Sequence, residues 1–202
     1  MARVRYGYTQ NEEEKFILEA FKDHPTGRFL DIGAHDGKTF SSTRALVEKG
    51  WGGVYVEPAP DVLPSLRENT KEFEDRVTIV PCAIGLTSGV LPFYSAGGDM
   101  VGSLSVEHAK KWSTAVAFTE VHVPVITLAQ LESRVGHSFD FINLDVEGIN
   151  WDLFCQFDWT KWTPRCVCVE YDDKRDAIIR ILQSHGYSVV YISAENIVAV
   201  KQ

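Results

Sequence analysis

The chain has few cysteines, no long apolar run and no excess of positive charge. None of the cysteines shows the C-x-x-C spacing of a zinc site, and a disulfide framework is unusual in 202 residues with only four of them: Cys82, Cys155, Cys166 and Cys168. We therefore predict buried free thiols and a cytoplasmic protein. No stretch approaches the roughly 18 apolar residues of a membrane span, and the amino terminus lacks the apolar run of a signal peptide, so no membrane partner is expected.

The charge balance is negative. Lys and Arg number 20 against 28 Asp and Glu, a net charge of −8, and the basic residues are scattered among acidic ones. This sign repels a phosphate backbone, so we expect no nucleic-acid partner. The apolar content of 45% is typical of a globular protein and argues against disorder. At this length we predict one domain over residues 1–202, and the oligomeric state stays open.

Short apolar runs alternate with helical patterns along most of the chain. Strands are predicted at 28–32, 53–56, 77–80, 139–144, 166–169, 187–192 and 197–200. Helices are predicted at 39–49, 61–73, 149–157 and 174–185. Continuous apolar strands that alternate with helices are typical of an α/β fold, in which helices cover both faces of a parallel sheet. The last two strands read as a hairpin-like pair.

Two segments stand outside this alternation. Residues 1–27 are predicted to form an N-terminal helical extension, because Thr9 to Glu12 resembles a capping box in front of a helical apolar pattern. Residues 86–130, which we call the inserted segment, carry glycines and mixed polar residues around two strand-like pieces at 90–94 and 121–126. In a regular α/β sheet, an excursion of this kind is expected to cover the substrate.

The turn after the first predicted strand carries Gly33 and Gly37, which leave the main chain open to a ligand at the carboxyl end of the sheet. Their spacing differs from the G-x-G-x-x-G fingerprint of dinucleotide sites. Acidic residues in this turn repel a pyrophosphate but suit a ligand with an ammonium group, such as S-adenosylmethionine. At the tip of the next strand, Glu57 can accept hydrogen bonds from both ribose hydroxyls. Together these features predict an adenosyl ligand rather than a plain turn and a solvated glutamate.

Four segments occur in the order FLDIGAHDG, VYVEPAP, VTIVPCAIG and FDFINLDVEG, and they resemble the FkbM-type S-adenosylmethionine-dependent methyltransferases. The resemblance implies a three-layer Rossmann-like fold with a mostly parallel seven-stranded sheet and an antiparallel strand in the C-terminal hairpin. It implies O-methylation of a hydroxyl on a sugar or small-molecule metabolite. It also implies the cofactor S-adenosylmethionine, bound by Asp31, Gly33, Ala34, His35, Gly37, Glu57, Pro58, Ala83, Ser103 and Asp145. Two positions depart from the family, which usually has Asn at His35 and an acidic residue at Asn150.

Transfer of a methyl group to an alcohol requires a base near the acceptor. Asp145 is the first candidate, because it ends a strand beside the expected cofactor cleft, and Glu147 is the second. His108 and His122 lie in the inserted segment, and either could act as base, because histidine titrates near neutrality. Of the two, we include His122 in the predicted catalytic set. The alternative roles are helix capping near residue 149 for the two carboxylates, and surface or packing positions for the histidines.

Asp145, Glu147 and Glu170 follow strands and could together bind a divalent cation through oxygen ligands. No histidine or further acidic spacing fixes the geometry, so we expect solvated strand-end carboxylates and predict no metal. Trp112 could line a pocket for a small-molecule or glycan acceptor.

Two other functions compete with methyl transfer. A non-catalytic S-adenosylmethionine-binding or interaction module stays open because Asn150 replaces the family's acidic residue. A nicotinamide-dependent oxidoreductase is disfavoured by the glycine spacing.

Overall fold

The computed structural model describes residues 7–202, so the first six residues of the predicted N-terminal extension lie outside the described part of the chain. The strands are β1 (Arg28–Ile32), β2 (Gly52–Val56), β3 (Val77–Val80), β4 (Ala83–Ile84), β5 (Gly89–Ser95), β6 (Thr119–Ile126), β7 (Phe141–Leu144), β8 (Cys166–Glu170), β9 (Tyr187–Ile192) and β10 (Asn196–Lys201). The helices are α1 (Glu13–Ala20), α2 (Arg44–Glu48), α3 (Leu63–Thr70), α4 (Val106–Trp112), α5 (Leu128–Val135), α6 (Asn150–Phe154) and α7 (Arg175–Ser184).

Seven strands form the main sheet in the order β3-β2-β1-β7-β8-β10-β9. The neighbouring pairs from β3 to β8 are parallel, whereas β10 runs antiparallel to both β8 and β9. The predicted α/β fold, with a mostly parallel sheet and an antiparallel strand in the C-terminal hairpin, is confirmed. The strand order reverses between β1 and β7, where Ile32 pairs with Leu144. The residues that follow these two strands therefore meet at the edge where open α/β sheets bind ligands.

Both faces of the main sheet are buried. Alternate residues of a strand point to opposite faces, so Leu30 and Ile32 belong to one core and Phe29 to the other. The first core contains residues of the last three helices, Leu131, Leu153 and Leu182. The second contains residues of the first three, Ile17, Leu46 and Leu66. The structure therefore has three layers, as the resemblance implied.

Three helices are shorter than their patterns predict, and one of them is the helix predicted at 149–157, which is reduced to α6. The helix predicted at 39–49 begins only at residue 44, because side chains bind the main chain before it. Asp36 Oδ1 accepts a hydrogen bond from the Thr39 N–H at 2.6 Å, and Ser41 Oγ accepts one from the Thr43 N–H at 3.3 Å. Such local bonds compete with helical ones. The helix predicted at 61–73 divides into α3 and a 3-10 turn, Lys71–Phe73.

The N-terminal helix is present, but its predicted capping box is wrong. Thr9 Oγ1 accepts a hydrogen bond from the main chain of Glu14 at 3.2 Å, and α1 starts with no side-chain cap. Thr9 instead forms a parallel bridge with Phe40. Helix α1 packs on β8, β9 and β10, at the opposite end of the sheet order from β3.

The inserted segment is more regular than its sequence indicates. Strands β5 and β6 pair antiparallel, and β6 pairs parallel with β4, so they form a second sheet in the order β4-β6-β5. Phe93, Val123 and Val125 of this sheet pack against Ala59 and Val62, which follow β2. The core of the second sheet is thereby anchored next to Glu57.

The cysteine prediction is correct for three of the four thiols. Cys82, Cys166 and Cys168 are buried and free, whereas Cys155 is free but exposed, because it is the residue that ends α6. Among residues 7–202, no helix has the length and apolar character needed to cross a bilayer.

Candidate active site

Gly33 brings the end of β1 against the end of β7. Its φ is 89°, and a Cβ at this position would lie 1.6 Å from the main-chain oxygen of Asp145. The N–H groups of Gly33 and Ala34 donate to the Val56 carbonyl at 3.0 and 3.1 Å, which ties the turn to β2 as well. Only glycine fits this point, because both the left-handed backbone and the close carbonyl exclude a side chain.

Glu57 is the carboxylate that holds the turn. It is 6% exposed, and its Oε2 accepts a hydrogen bond from the His35 N–H while its Oε1 accepts one from the Ala59 N–H, both at 2.8 Å. Burial raises the pKa of Glu57, while these two N–H groups act to lower it. Each oxygen keeps a second lone pair for a ligand. The side chain can therefore still accept hydrogen bonds from a ligand, and its contact with a ribose stays a prediction.

A pocket, which we call the inner pocket, lies at this edge of the sheet. Six of the predicted cofactor residues line it: Gly33, His35, Glu57, Pro58, Ala83 and Asp145. Its apolar wall comes from both sheets and includes Val56, Val62, Ile84, Phe93 and Leu104. A concave site with an apolar wall and a few polar groups suits a nucleoside.

Two wider cavities adjoin the inner pocket. The side pocket is lined by Asp31 and Ala34. The open groove is lined by Trp112 and Trp151. Glu147 lines all three cavities. A ligand in the inner pocket and an acceptor in the open groove would therefore meet beside this residue.

Asp31 lies in the side pocket, but its carboxylate is already engaged. It is 2% exposed, and it accepts hydrogen bonds from Thr43 Oγ1 at 2.6 Å and from Asn143 Nδ2 at 2.9 Å. Burial raises its pKa to about 6, although both hydrogen bonds act to lower it. Its main task in this geometry is to brace the floor of the site.

Three carboxylates converge where the cavities meet. Asp145, Glu147 and Glu170 each offer an oxygen within 4.8 Å of the others. Desolvation and the negative charge of Glu147 raise the pKa of Asp145 to about 7, and Glu170 is raised further by burial and by Asp145. Both carboxyl groups therefore hold a proton to higher pH than a solvated carboxyl group does. These carboxylates lie together and partly buried, rather than separately in solvent, and their spacing also suits one divalent cation.

Asn150 holds this cluster in place. It is fully buried, its Oδ1 accepts the Val146 N–H at 2.8 Å, and its Nδ2 donates to Glu170 and, at 3.3 Å, to Asp172. A neutral amide here supplies a donor that an acidic residue lacks at neutral pH. Sequence reasoning treated this departure from the family only as a loss of a carboxylate.

Three predicted site residues lie elsewhere. Gly37 is buried against α3, where an added Cβ would lie 2.7 Å from Leu66 Cδ1, and it lines none of the three cavities. Ser103 is fully buried and also outside their linings, and its Oγ donates to the main-chain oxygen of Glu147 at 2.5 Å. His122 is exposed on β6 and faces Pro92 in the strand pairing, so it is no candidate for the base.

His108 is the histidine that reaches the site. It lies on α4, is 8% exposed, and its Nε2 is 3.1 Å from Oε2 of Glu147. The sequence prediction chose His122 over His108, because nothing in the pattern of the inserted segment revealed how its elements are oriented. Asp99 and Met100 of the same segment also line the inner pocket. The sequence did not predict them, because it does not show how this segment docks on the main sheet.

Comparisons with known proteins agree with this geometry. The methyltransferase FkbM domain family matches residues 31–189. The fold is similar to that of the O-methyltransferase from Bacillus cereus in complex with SAH, with a TM-score of 0.55 and 16% identity over 98% of this chain and 84% of that one. It is also similar to precorrin-6y C5,15-methyltransferase from Geobacter metallireducens GS-15, with a TM-score of 0.51 and 14% identity over 100% and 92% of the two chains.

No curated protein matches the sequence. At such identities the structural neighbours establish the fold, and the family match, which covers most of the chain, establishes the chemistry. The chain belongs to the FkbM methyltransferase family and uses S-adenosylmethionine as its methyl donor.

Proposed function

We propose that this methyltransferase acts on a hydroxyl group of a sugar or small-molecule metabolite, with Asp145 as the general base. The observation that carries the proposal is the position of Asp145, which lines the inner pocket and the side pocket and contacts the carboxylate cluster beside the open groove. Its pKa of about 7 suits a base that works near neutral pH.

The residues divide the work between binding and proton transfer. Bound S-adenosylmethionine supplies an electrophilic methyl group, and the bond from sulfur to that methyl breaks as the oxygen–methyl bond forms. Glu57 holds the ribose, Gly33 lets the turn after β1 pack against the main chain of Asp145, and Asp145 takes the hydroxyl proton. The hydrogen bond between the side chains of Glu170 and Asp145 favours the ionised form of that base.

The test is an acceptor panel. The purified protein is incubated with S-adenosylmethionine and sugars or metabolites that carry hydroxyl groups, each with a matched analogue in which the hydroxyl is already methylated. Mass spectrometry follows the demethylated cofactor and the methyl ether, in parallel arms with MgCl₂ and with EDTA. We expect product from free hydroxyls and none from the blocked analogues. Methylation at carbon or nitrogen would contradict the proposal, and tight cofactor binding without turnover on any acceptor would favour the non-catalytic module.

Turnover is expected to depend on pH through Asp145. Because burial raises its pKa to about 7, the ionised base becomes available as the pH rises through that value. We expect kcat/KM to rise about tenfold between about pH 6 and pH 8 and then to level off. A profile that stays flat over this range, measured with the cofactor saturating, would remove Asp145 from the role of base.

A further inference from the structure

The strongest unassigned contact joins the inserted segment to the turn after β7. His108 Nε2 lies 3.1 Å from Glu147 Oε2, and the side chains are 6% and 19% exposed. An exposed pair of this kind contributes little to the free energy of unfolding. Because His108 and Glu147 are largely shielded from solvent, their contact can instead fix the orientation of the two side chains. The position of His108 is fixed by its helix, because the main-chain N–H of His108 donates to Oγ of Ser105, the N-cap of α4, at 3.2 Å.

The turn that carries Glu147 needs such support. Glu147 has a φ of 53° and Gly148 a φ of 87°. A left-handed conformation is costly for a residue other than glycine and persists where the surroundings impose it. The His108 ring lies directly over Gly148, where an added Cβ would be 2.8 Å from its Cβ and 3.0 Å from its Nδ1. Ser103 adds a third point of contact through its hydrogen bond to the Glu147 carbonyl.

We propose that His108 is a positioning residue that aims the Glu147 carboxylate at the positively charged sulfur of the cofactor. The pair would thereby select S-adenosylmethionine over the product S-adenosylhomocysteine, whose sulfur carries no charge. The inference rests on the proposed function, because the proposed meeting point of methyl group and acceptor lies beside Glu147. Glu147 lines the inner pocket, and its negative charge attracts the sulfonium but not the thioether that remains after transfer. The inserted segment thereby contributes to the choice between cofactor and product.

The experiment needs no acceptor. Calorimetry gives the Kd of S-adenosylmethionine and of S-adenosylhomocysteine for the full chain and for Glu147→Gln, His108→Phe and His108→Gln. We expect Glu147→Gln to reduce the preference for the charged ligand about tenfold. His108→Phe keeps a ring over Gly148 and is expected to reduce the preference about threefold, with His108→Gln closer to the parent. The matched control is His122→Phe, an exposed histidine of the same segment, for which no change is expected.

The outcomes separate positioning from simple support of the fold. In the Glu147→Gln background, His108→Phe should have no further effect on the preference, because both changes remove one interaction. Equal weakening of both ligands, or additive effects in the double variant, would overturn the proposal. If His108→Phe fails to fold in a thermal melt, His108→Ala and its double variant with Glu147→Gln decide, because alanine also removes the ring nitrogen that contacts Glu147. Acceptor panels that yield no product would overturn the proposed function while leaving this ratio measurable.

Discussion

Asp145→Asn is expected to lower kcat by about 10²- to 10⁴-fold, the range that general-base catalysis supplies, while the Kd of S-adenosylmethionine changes by less than about threefold. Asparagine keeps the size of the side chain but cannot accept a proton. Because the main-chain oxygen of residue 145, not its side chain, sits against Gly33, the substitution leaves the cofactor turn in place. Single-turnover kinetics with saturating cofactor measures the chemical step directly.

The pH dependence of the stability of Asp145→Asn serves as a control for its loss of turnover. The pKa of Asp145 is about 7 in the folded chain, against an ordinary value of 3.8, so the folded state binds the proton more tightly than the unfolded state. The free energy of unfolding contributed by this group therefore falls as the pH rises from about 4 to about 7. Asp145→Asn removes this pH-dependent loss of stability. The melting temperature of the variant should therefore rise relative to that of the parent as the pH increases from about 4 to about 7. Full turnover in a variant that shows this stability shift would exclude Asp145 as the base.

Glu57→Ala is expected to weaken binding of S-adenosylmethionine by about 1.5–3 kcal/mol, the usual contribution of hydrogen bonds to a charged group. The loss has two sources, because Glu57 both faces the ribose and accepts the N–H groups of His35 and Ala59. Calorimetry with adenosine separates them. Adenosine carries the ribose without the methionyl group, so an effect through the ribose should weaken adenosine and S-adenosylmethionine alike.

Glu57→Gln sharpens this test. An amide keeps the shape of the side chain but turns one acceptor into a donor, which faces a main-chain N–H and leaves one buried donor unsatisfied. We expect it to bind the cofactor little better than Glu57→Ala. Glu68→Ala, on the exposed side of α3, is the matched control. Unchanged affinity in folded Glu57 variants would remove the ribose assignment.

The main sheet could be predicted from the sequence because its strands are buried on both faces and therefore read as unbroken apolar runs. The glycine turn and Glu57 were predictable for a related reason, since both sit directly at strand ends, where topology fixes their neighbours. The five-residue α2 was not, because the side chains of Asp36 and Ser41 decide its start. A pattern of apolar positions contains no information about such local competition.

The candidate site was predictable only up to the edge of the main sheet. The choice between His108 and His122 depends on how α4 docks against the turn after β7, which no periodicity encodes. The motifs that predicted Gly37 and Ser103 as cofactor residues lie near the site. Gly37, however, packs on helix α3, and Ser103 donates a hydrogen bond to the Glu147 carbonyl. The role of Asn150 follows from Glu170 and Asp172, which are distant in sequence and adjacent only after folding.

The packing of the second sheet beside the inner pocket has a consequence for the rate of cofactor release. Phe93, Gly102 and Leu104 form part of the wall around the expected ligand, and the His35 ring is tied to the Gly98 carbonyl at 3.1 Å. Cofactor bound in the inner pocket would lie against this wall, while helix α4 of the same stretch of chain borders the open groove, where we propose that the methyl acceptor binds. Remodelling this stretch to admit a new acceptor would therefore also change how long the spent cofactor stays bound.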